Sequence, residues 1–93
     1  MAVEVKIPPV LRKYTAGSPT VAASGDTVVD LIRDLEANWP ELRGQVLDEQ
    51  GKTHRFINIY RNGEDIRYLK RLDTAIEDGD VVAILPAVAG GGY

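Results

Sequence analysis

The sequence predicts one small α+β domain, in which a mixed sheet of four to five strands curls around one main helix. Two observations support this: one segment has the apolar spacing of an amphipathic helix, and short segments on either side have the composition of strands. The chain has 93 residues, which is the length of a single domain. Apolar residues make up 44% of it, as is typical of a soluble globular protein.

The first two strands are predicted near the N-terminus. Residues 3–7 alternate between apolar and charged side chains, so the apolar ones share one face of a strand, which Pro8-Pro9 ends. A short helical turn is predicted over residues 10–14. Residues 20–23 are predicted to form the second strand of an N-terminal hairpin.

The one clear helix is predicted to begin after Thr27. The Thr27 hydroxyl can cap the free amides of the first turn, and Asp30 completes a capping-box-like pair. Apolar residues then recur at three- and four-residue steps on one stripe: Val28, Leu31, Ile32, Leu35 and Trp39. Pro40 ends this helix, and a second short helix is predicted over residues 41–47.

The C-terminal half is predicted to hold a hairpin and a last strand. Residues 56–60 form a strand, and Asn62-Gly63 is the favoured hairpin turn because both positions accept a positive φ. Residues 64–68 would be its partner, followed by one helical turn over 72–76. The last strand, 81–85, is apolar on both faces, as expected of a central strand. This order of elements is that of the ubiquitin-like β-grasp fold.

Composition excludes several classes of function. The chain has no cysteine, and its one histidine, His54, cannot form a zinc site unaided. The formal net charge of −3 argues against nucleic acid as a partner. No run of about 18 apolar residues predicts a membrane span, and no P-loop or dinucleotide fingerprint occurs. We therefore expect a cytoplasmic carrier or binding module, with no cofactor of its own, rather than an enzyme.

Residues 87–93 are predicted to be a flexible, glycine-rich tail on a domain formed by residues 1–86. Three of the nine glycines lie among the last four residues. Extended, the tail would reach roughly 20 Å beyond the domain, and glycine lets backbone pass through a narrow channel. A terminal carboxylate needs such access because it must be activated, typically as an acyl-adenylate, before it can accept another group. Small residues also end many chains without any function, and the tail alone leaves that interpretation open.

Residues 78–91, DGDVVAILPAVAGG, resemble the C-terminal motif of the MoaD/ThiS family of sulfur carriers. Within that family the sequence most resembles the CysO-type carriers of cysteine biosynthesis. The likeness continues through residues 24–27, 34–38, 54–60 and 75–80, which is nearly the whole chain.

The resemblance implies a carrier that acts as co-substrate of partner enzymes. An E1-like adenylating enzyme of the MoeB/ThiF type would activate the terminal glycine with ATP, and sulfur would replace AMP to give a thiocarboxylate. A PLP-dependent cysteine synthase, or another sulfur acceptor enzyme, would then receive the sulfur. In the CysO-type pathway a JAMM-type metalloprotease releases the product. ATP and PLP would belong to the partners.

The chain departs from the family pattern at its end, because it continues through Gly92 and Tyr93. Tyr93 is too bulky for a channel that admits glycine, so we expect both residues to be trimmed by the JAMM-type protease. Gly91 would then be the adenylated residue, with Ala89, Gly90 and Gly91 threading into the partner. Loss of Tyr93 alone would instead leave Gly92 as the terminus.

A docking patch is predicted near the tail. Phe56 and Tyr60 share one strand face if Ile57 and Ile59 face the helix, and we expect Phe56 and Tyr60 to dock the activating enzyme. Pro86 and Val88 are the further candidates for this patch. An ordinary sheet surface is the alternative. A separate cluster of cations is either a solvated face or a contact for an acidic partner: Arg67, Lys70 and Arg71.

Three other functions remain open at this point. The same activated glycine would be joined to lysines in a ubiquitin-like modifier. It would insert into a partner's active site in the small subunit of a molybdopterin-synthase-like enzyme. A β-grasp binding domain would use no covalent chemistry. We expect the chain to be a monomer when its partner is absent.

Overall fold

The structure, a computed structural model, describes residues 2–87 of the chain. Its one α-helix, α1, spans Val28–Asn38. The strands are β1 Val3–Lys6, β2 Thr20–Ala23, β3 Ile57–Arg61, β4 Glu64–Asp65 and β5 Val81–Pro86. Short 3₁₀ helices lie between them: Pro9–Thr15, Pro40–Leu42, Ile66–Tyr68 and Arg71–Asp73.

The strands form one mixed sheet in the order β2-β1-β5-β3-β4. β1 and β5 are parallel neighbours, with Val5 opposite Val82, and the other pairings are antiparallel. Both predicted hairpins are present. The second turns at Asn62 and Gly63, whose φ angles are 50° and 85°. The predicted β-grasp fold is therefore confirmed, with β5 in the middle of the sheet.

Helix α1 begins as predicted. The Thr27 hydroxyl accepts a hydrogen bond from the Asp30 amide at 3.3 Å. Gly25 lies against this first turn, and a Cβ there would meet the Leu31 nitrogen at 2.4 Å. Only glycine therefore allows the chain to enter the helix along this path. The helix and the sheet share one buried core, which includes Val28, Leu31, Ile32, Leu35, Val3, Val5, Ile57, Ile59, Val82 and Ile84.

The predicted helix over residues 41–47 is wrong. Only Pro40–Leu42 is helical, and it is a single 3₁₀ turn. Gly44 has a φ of 83°, a left-handed conformation that interrupts a helix. Val46 is nevertheless buried, because it packs into the core from an irregular segment.

The last strand is central, as predicted, but the expected burial of both its faces is wrong. Val82 and Ile84 are buried, whereas Leu85 is 40% exposed. β5 also continues through Pro86, which lies opposite Ile57, rather than ending before it. None of the helices within residues 2–87 is long and apolar enough to cross a membrane.

Candidate functional site

The chain leaves the sheet from its central strand. The Ala87 amide donates a hydrogen bond to the Phe56 carbonyl at 2.7 Å, which extends the β3–β5 ladder by one step. The exit of the C-terminus is thereby fixed beside Phe56. The predicted tail residues lie outside the described residues, and their roles stay predictions: Val88, Ala89, Gly90, Gly91, Gly92 and Tyr93.

The sheet face beside this exit is largely apolar. Ile57 and Ile59 point into the core, so the alternation along β3 places Phe56 and Tyr60 on the opposite face, as predicted. Phe56 is 53% exposed. Directly paired residues of antiparallel strands share a face, so Leu85 and Ala83 of β5 join them, opposite Asn58 and Tyr60. The polar Asn58 lies on the same face, directly opposite Leu85. We call the apolar part of this surface the exit patch: Phe56, Tyr60, Ala83 and Leu85.

Pro86 does not belong to the exit patch. It is exposed, but it lies opposite Ile57 and so points toward the helix side of the sheet. The predicted grouping of Pro86 with Phe56 and Tyr60 is corrected by this register. Leu85 occupies the position on their face, diagonal to Phe56. The sequence signal that could have identified Leu85 is the two-residue period of a strand: if Val82 and Ile84 face the core, Leu85 faces the other way.

The ring of Phe56 is held by two neighbours in the preceding loop. The His54 ring centroid lies 5.1 Å from that of Phe56. The guanidinium carbon of Arg55 lies 4.9 Å from the Phe56 ring centroid, within the range of a cation–π contact. The Phe56 ring is therefore exposed to solvent while it contacts His54 and Arg55. The guanidinium of Arg55 places a positive charge at the edge of the exit patch.

The opposite end of β5 is fixed by Asp80. Its carboxylate accepts hydrogen bonds from Asn62 Nδ2 at 2.9 Å, the Glu77 amide at 2.7 Å and Arg61 Nε at 2.8 Å. These contacts, the Asn62 bond foremost, lower the pKa of Asp80 to about 2. Within residues 2–87 no group of His, Asp and Glu side chains is arranged to hold a metal ion. The hydrogen bonds to Arg61, Asn62 and Glu77 thus give Asp80 a structural role in this turn.

The central strand and the exit patch together form a platform at the end of the described chain. The central strand is held on both sides by β1 and β3, and it delivers the C-terminus beside an exposed apolar surface. No buried side-chain nitrogen or oxygen among the described residues lacks a hydrogen-bond partner. The geometry is suited to presenting a chain end to a partner that covers the exit patch.

Comparison with known proteins gives a consistent result. The sequence model of the ThiS family matches residues 5–91. Sulfur carrier protein CysO of Mycobacterium tuberculosis is 54% identical over 93 residues, covering 98% of this chain and 100% of that protein. Small archaeal modifier protein 3 of Haloferax volcanii is 40% identical over 65 residues, 70% of each chain. In the crystal structure of the Amycolatopsis orientalis BexX/CysO complex, one chain superposes with a TM-score of 0.88 at 46% identity. That match covers 97% of this chain and 100% of the other.

Proposed function

The chain belongs to the ThiS family of sulfur carriers, and on that premise we propose that it carries sulfur as a thiocarboxylate on Gly91. The observation that supports this most strongly is the family match, which runs on to residue 91. A second is that the central strand brings Ala87 beside the exposed Phe56. The end of that match favours Gly91 over Gly92 as the mature terminus. Residues 1–86 then form the platform and residues 87–93 the tail.

Activation begins at the terminal carboxylate. In the partner E1-like enzyme the Gly91 carboxylate attacks the α-phosphate of ATP, pyrophosphate leaves, and an acyl-adenylate forms. A sulfur nucleophile at the sulfide level then attacks the carbonyl carbon, and AMP leaves with the electron pair of the broken C–O bond. The product is a thiocarboxylate, which is ionised near neutral pH and is a sulfur nucleophile. Ala89, Gly90 and Gly91 are the residues that thread into the enzyme, because they have little or no side chain.

Trimming must precede activation. Gly92 and Tyr93 follow Gly91 in the sequence, so the Gly91 carbonyl belongs to a peptide bond until those residues are removed. A JAMM-type metalloprotease is the proposed trimming enzyme. Trimming would make the carrier available only where that protease is present.

Cysteine synthesis is the proposed destination of the sulfur. The identity of 54% with sulfur carrier protein CysO over nearly the full length supports it. A PLP-dependent cysteine synthase would be the acceptor enzyme, with its cofactor bound to the synthase. The similar chain in the BexX/CysO crystal structure was solved as a complex with a second protein. That complex supports the proposal that this chain acts by docking to a partner.

Protein modification is the second candidate function. The 40% identity with small archaeal modifier protein 3 favours it. The same adenylated glycine would then be attacked by a lysine amine of a target instead of by sulfur. Lysine-linked adducts in cell extracts would identify this outcome, and a carrier alone would give none.

The intact mass of the protein from its native host tests the proposal. We expect the chain to lose Gly92 and Tyr93 in the presence of the protease, and then to exchange one oxygen for sulfur when the E1-like enzyme is present. Strains lacking one enzyme provide the control. Without the protease the chain should keep its full mass, and without the E1-like enzyme it should be trimmed but contain no added sulfur. A chain that stays full length and never gains sulfur would contradict the carrier function.

Phe56→Ala tests the exit patch. We expect the variant to raise the KM of the adenylating enzyme for the trimmed carrier about tenfold, because an exposed aromatic anchor contributes at least ~1.4 kcal/mol to such interfaces. Tyr68→Ala is the matched control. Tyr68 is an exposed aromatic, at 79%, outside the patch, and its loss should leave the KM unchanged. Equal kinetics for the two variants would place docking elsewhere.

A further inference from the structure

A groove lined with cations starts beside the exit patch. Two depressions, of about 310 Å³ and 550 Å³, share Thr53 and Arg67 in their walls and so lie next to each other. The first also borders Arg55, next to Phe56, and the second extends to the 3₁₀ turn at Arg71. We call the pair the basic groove, and its cations are Lys52, Arg55, Arg67, Lys70 and Arg71; Asp73 contributes a carboxylate to the wall of the second depression.

The positive charge of this region contrasts with the rest of the chain. Residues 52–73 hold six of the 11 Lys and Arg residues but three of the 14 Asp and Glu residues, in a chain of net charge −3. Among residues 2–87 the salt bridges are Arg61–Asp80 and Arg67–Asp65. The other four cations of the basic groove therefore have no ion-pair partner in the part of the chain that the structure describes.

Arg67 is oriented before any ligand arrives. Its Nη2 donates to Asp65 Oδ2 at 2.8 Å and its Nε donates to the same oxygen at 3.1 Å. Asp65 is buried, and the Arg67 hydrogen bond keeps the pKa of Asp65 below its ordinary value, so the carboxylate stays charged. Nη1 of Arg67 makes no hydrogen bond to a described residue, and its side chain is 60% exposed. A fixed guanidinium with free donors is suited to an incoming carboxylate.

The far end of the groove has an unusual backbone. Arg71 has a φ of 53°, a left-handed conformation that is uncommon for a residue with a long side chain. The turn is held by Thr74, whose hydroxyl accepts a hydrogen bond from the Lys70 amide at 3.0 Å. Such a conformation at an exposed turn that presents two unpaired cations is a reason to look for a ligand there.

We infer that the basic groove binds an extended acidic segment of a partner protein. The five cations are spread over two adjacent depressions, as a chain of carboxylates requires, rather than gathered around one point. The remaining surface of this chain is acidic overall, which disfavours a long polyphosphate such as RNA. The inference does not depend on the sulfur chemistry, since it concerns a surface outside the tail. It gives a partner seated on the exit patch a second, electrostatic contact that fixes its orientation.

A hexaglutamate peptide is the probe for this binding. In a titration of the isotope-labelled full chain followed by NMR, we expect amide shifts to concentrate on Thr53, Arg67, Lys70 and Arg71. Added salt should weaken the binding, because the contacts are charged and partly exposed. Hexaglutamine is the neutral control and should cause no shifts.

A double variant, Lys70→Gln with Arg71→Asn, tests the assignment. Asparagine suits position 71 because it tolerates the left-handed conformation there. We expect binding of hexaglutamate to weaken about tenfold, which is ~1.4 kcal/mol. The matched control is Lys13→Gln with Arg43→Gln, which removes two exposed cations outside the groove and should leave binding unchanged.

Three results would overturn the inference. One is an absence of shifts, and another is a pattern of shifts spread evenly over the surface. Equal affinity for the double variant and its control also counts against it. Inorganic phosphate or an RNA oligonucleotide that bound the same residues as tightly as hexaglutamate would show a general anion site instead of one for an acidic peptide.

Discussion

Asp80 joins three parts of the chain at one carboxylate. It holds the β3–β4 hairpin through Arg61 and Asn62 and closes its own turn through the Glu77 amide. Because its folded pKa, about 2, lies below the ordinary value of 3.8, its charged form stabilises the folded state. That contribution is complete above about pH 4 and is lost as the pH falls through about 2.

We predict that Asp80→Asn reduces the acid sensitivity of the protein. Urea unfolding of the parent chain should show a free energy that declines between about pH 4 and pH 2. The free energy of unfolding of the variant should fall less over the same pH range, by on the order of 1 kcal/mol after allowance for solvent screening. Asp65 keeps part of the pH dependence, since its pKa is also lowered, by Arg67. Asp78→Asn is the control, because the Asp78 side chain bonds to no described residue, and it should follow the parent protein. An identical slope for Asp80→Asn would contradict this account.

Single residues were predictable where a local pattern determines them. Alternation placed Ile57 and Ile59 on the face opposite Phe56, although it did not decide which face is buried, and the cap at Thr27 followed from its position before an apolar stripe. The burial of Asp65 was not predictable in this way. It depends on Arg67 folding back two residues later, in a 3₁₀ turn that we had predicted to be strand.

Among the secondary-structure elements, those with strong periodicity or a characteristic turn sequence were predicted correctly. The helix and both hairpins combine such local signals and are present, although the last strand of the second hairpin is only Glu64–Asp65 rather than residues 64–68. Residues 41–47 have helix-like apolar spacing, but only Pro40–Leu42 is helical. Val46 is buried by packing against distant parts of the chain, without a helix. Propensity is a weak guide wherever tertiary contacts decide.

β5 shows why an apolar pattern can have two causes. The strand is central in hydrogen bonding, yet within residues 2–87 only one of its faces is covered by α1. Leu85 is apolar on the open face, where core packing does not require it. A partner that covers the exit patch would account for that side chain, and the sequence alone does not distinguish a surface buried in the fold from one buried in a complex.

In the part of the chain that the structure describes, the last strand is also the central strand of the sheet. β5 lies between β1 and β3, so a pull on the C-terminus is resisted by two ladders of hydrogen bonds. The exit patch and the basic groove both adjoin this end, beside Phe56 and Arg55. A partner that takes up the terminus can therefore use both surfaces at once.

Removal of residues 88–93 tests the proposed division between platform and tail. We expect the free energy of unfolding to change by less than about 0.5 kcal/mol, as for changes outside a core, because the described core residues lie between Val3 and Ile84. Sulfur loading, followed by intact mass, should be abolished.

A longer truncation, which also removes Pro86 and Ala87, supplies the comparison for stability. It deletes the last β3–β5 pairing and the 2.7 Å bond from the Ala87 amide to the Phe56 carbonyl, and should cost about 1 kcal/mol more. If removing residues 88–93 alone destabilises the protein as much as the longer truncation, the terminus is part of the folded domain. The contacts of the terminus with the domain would then have to break before the glycine could reach an enzyme. The folded platform would in that case extend beyond residue 86.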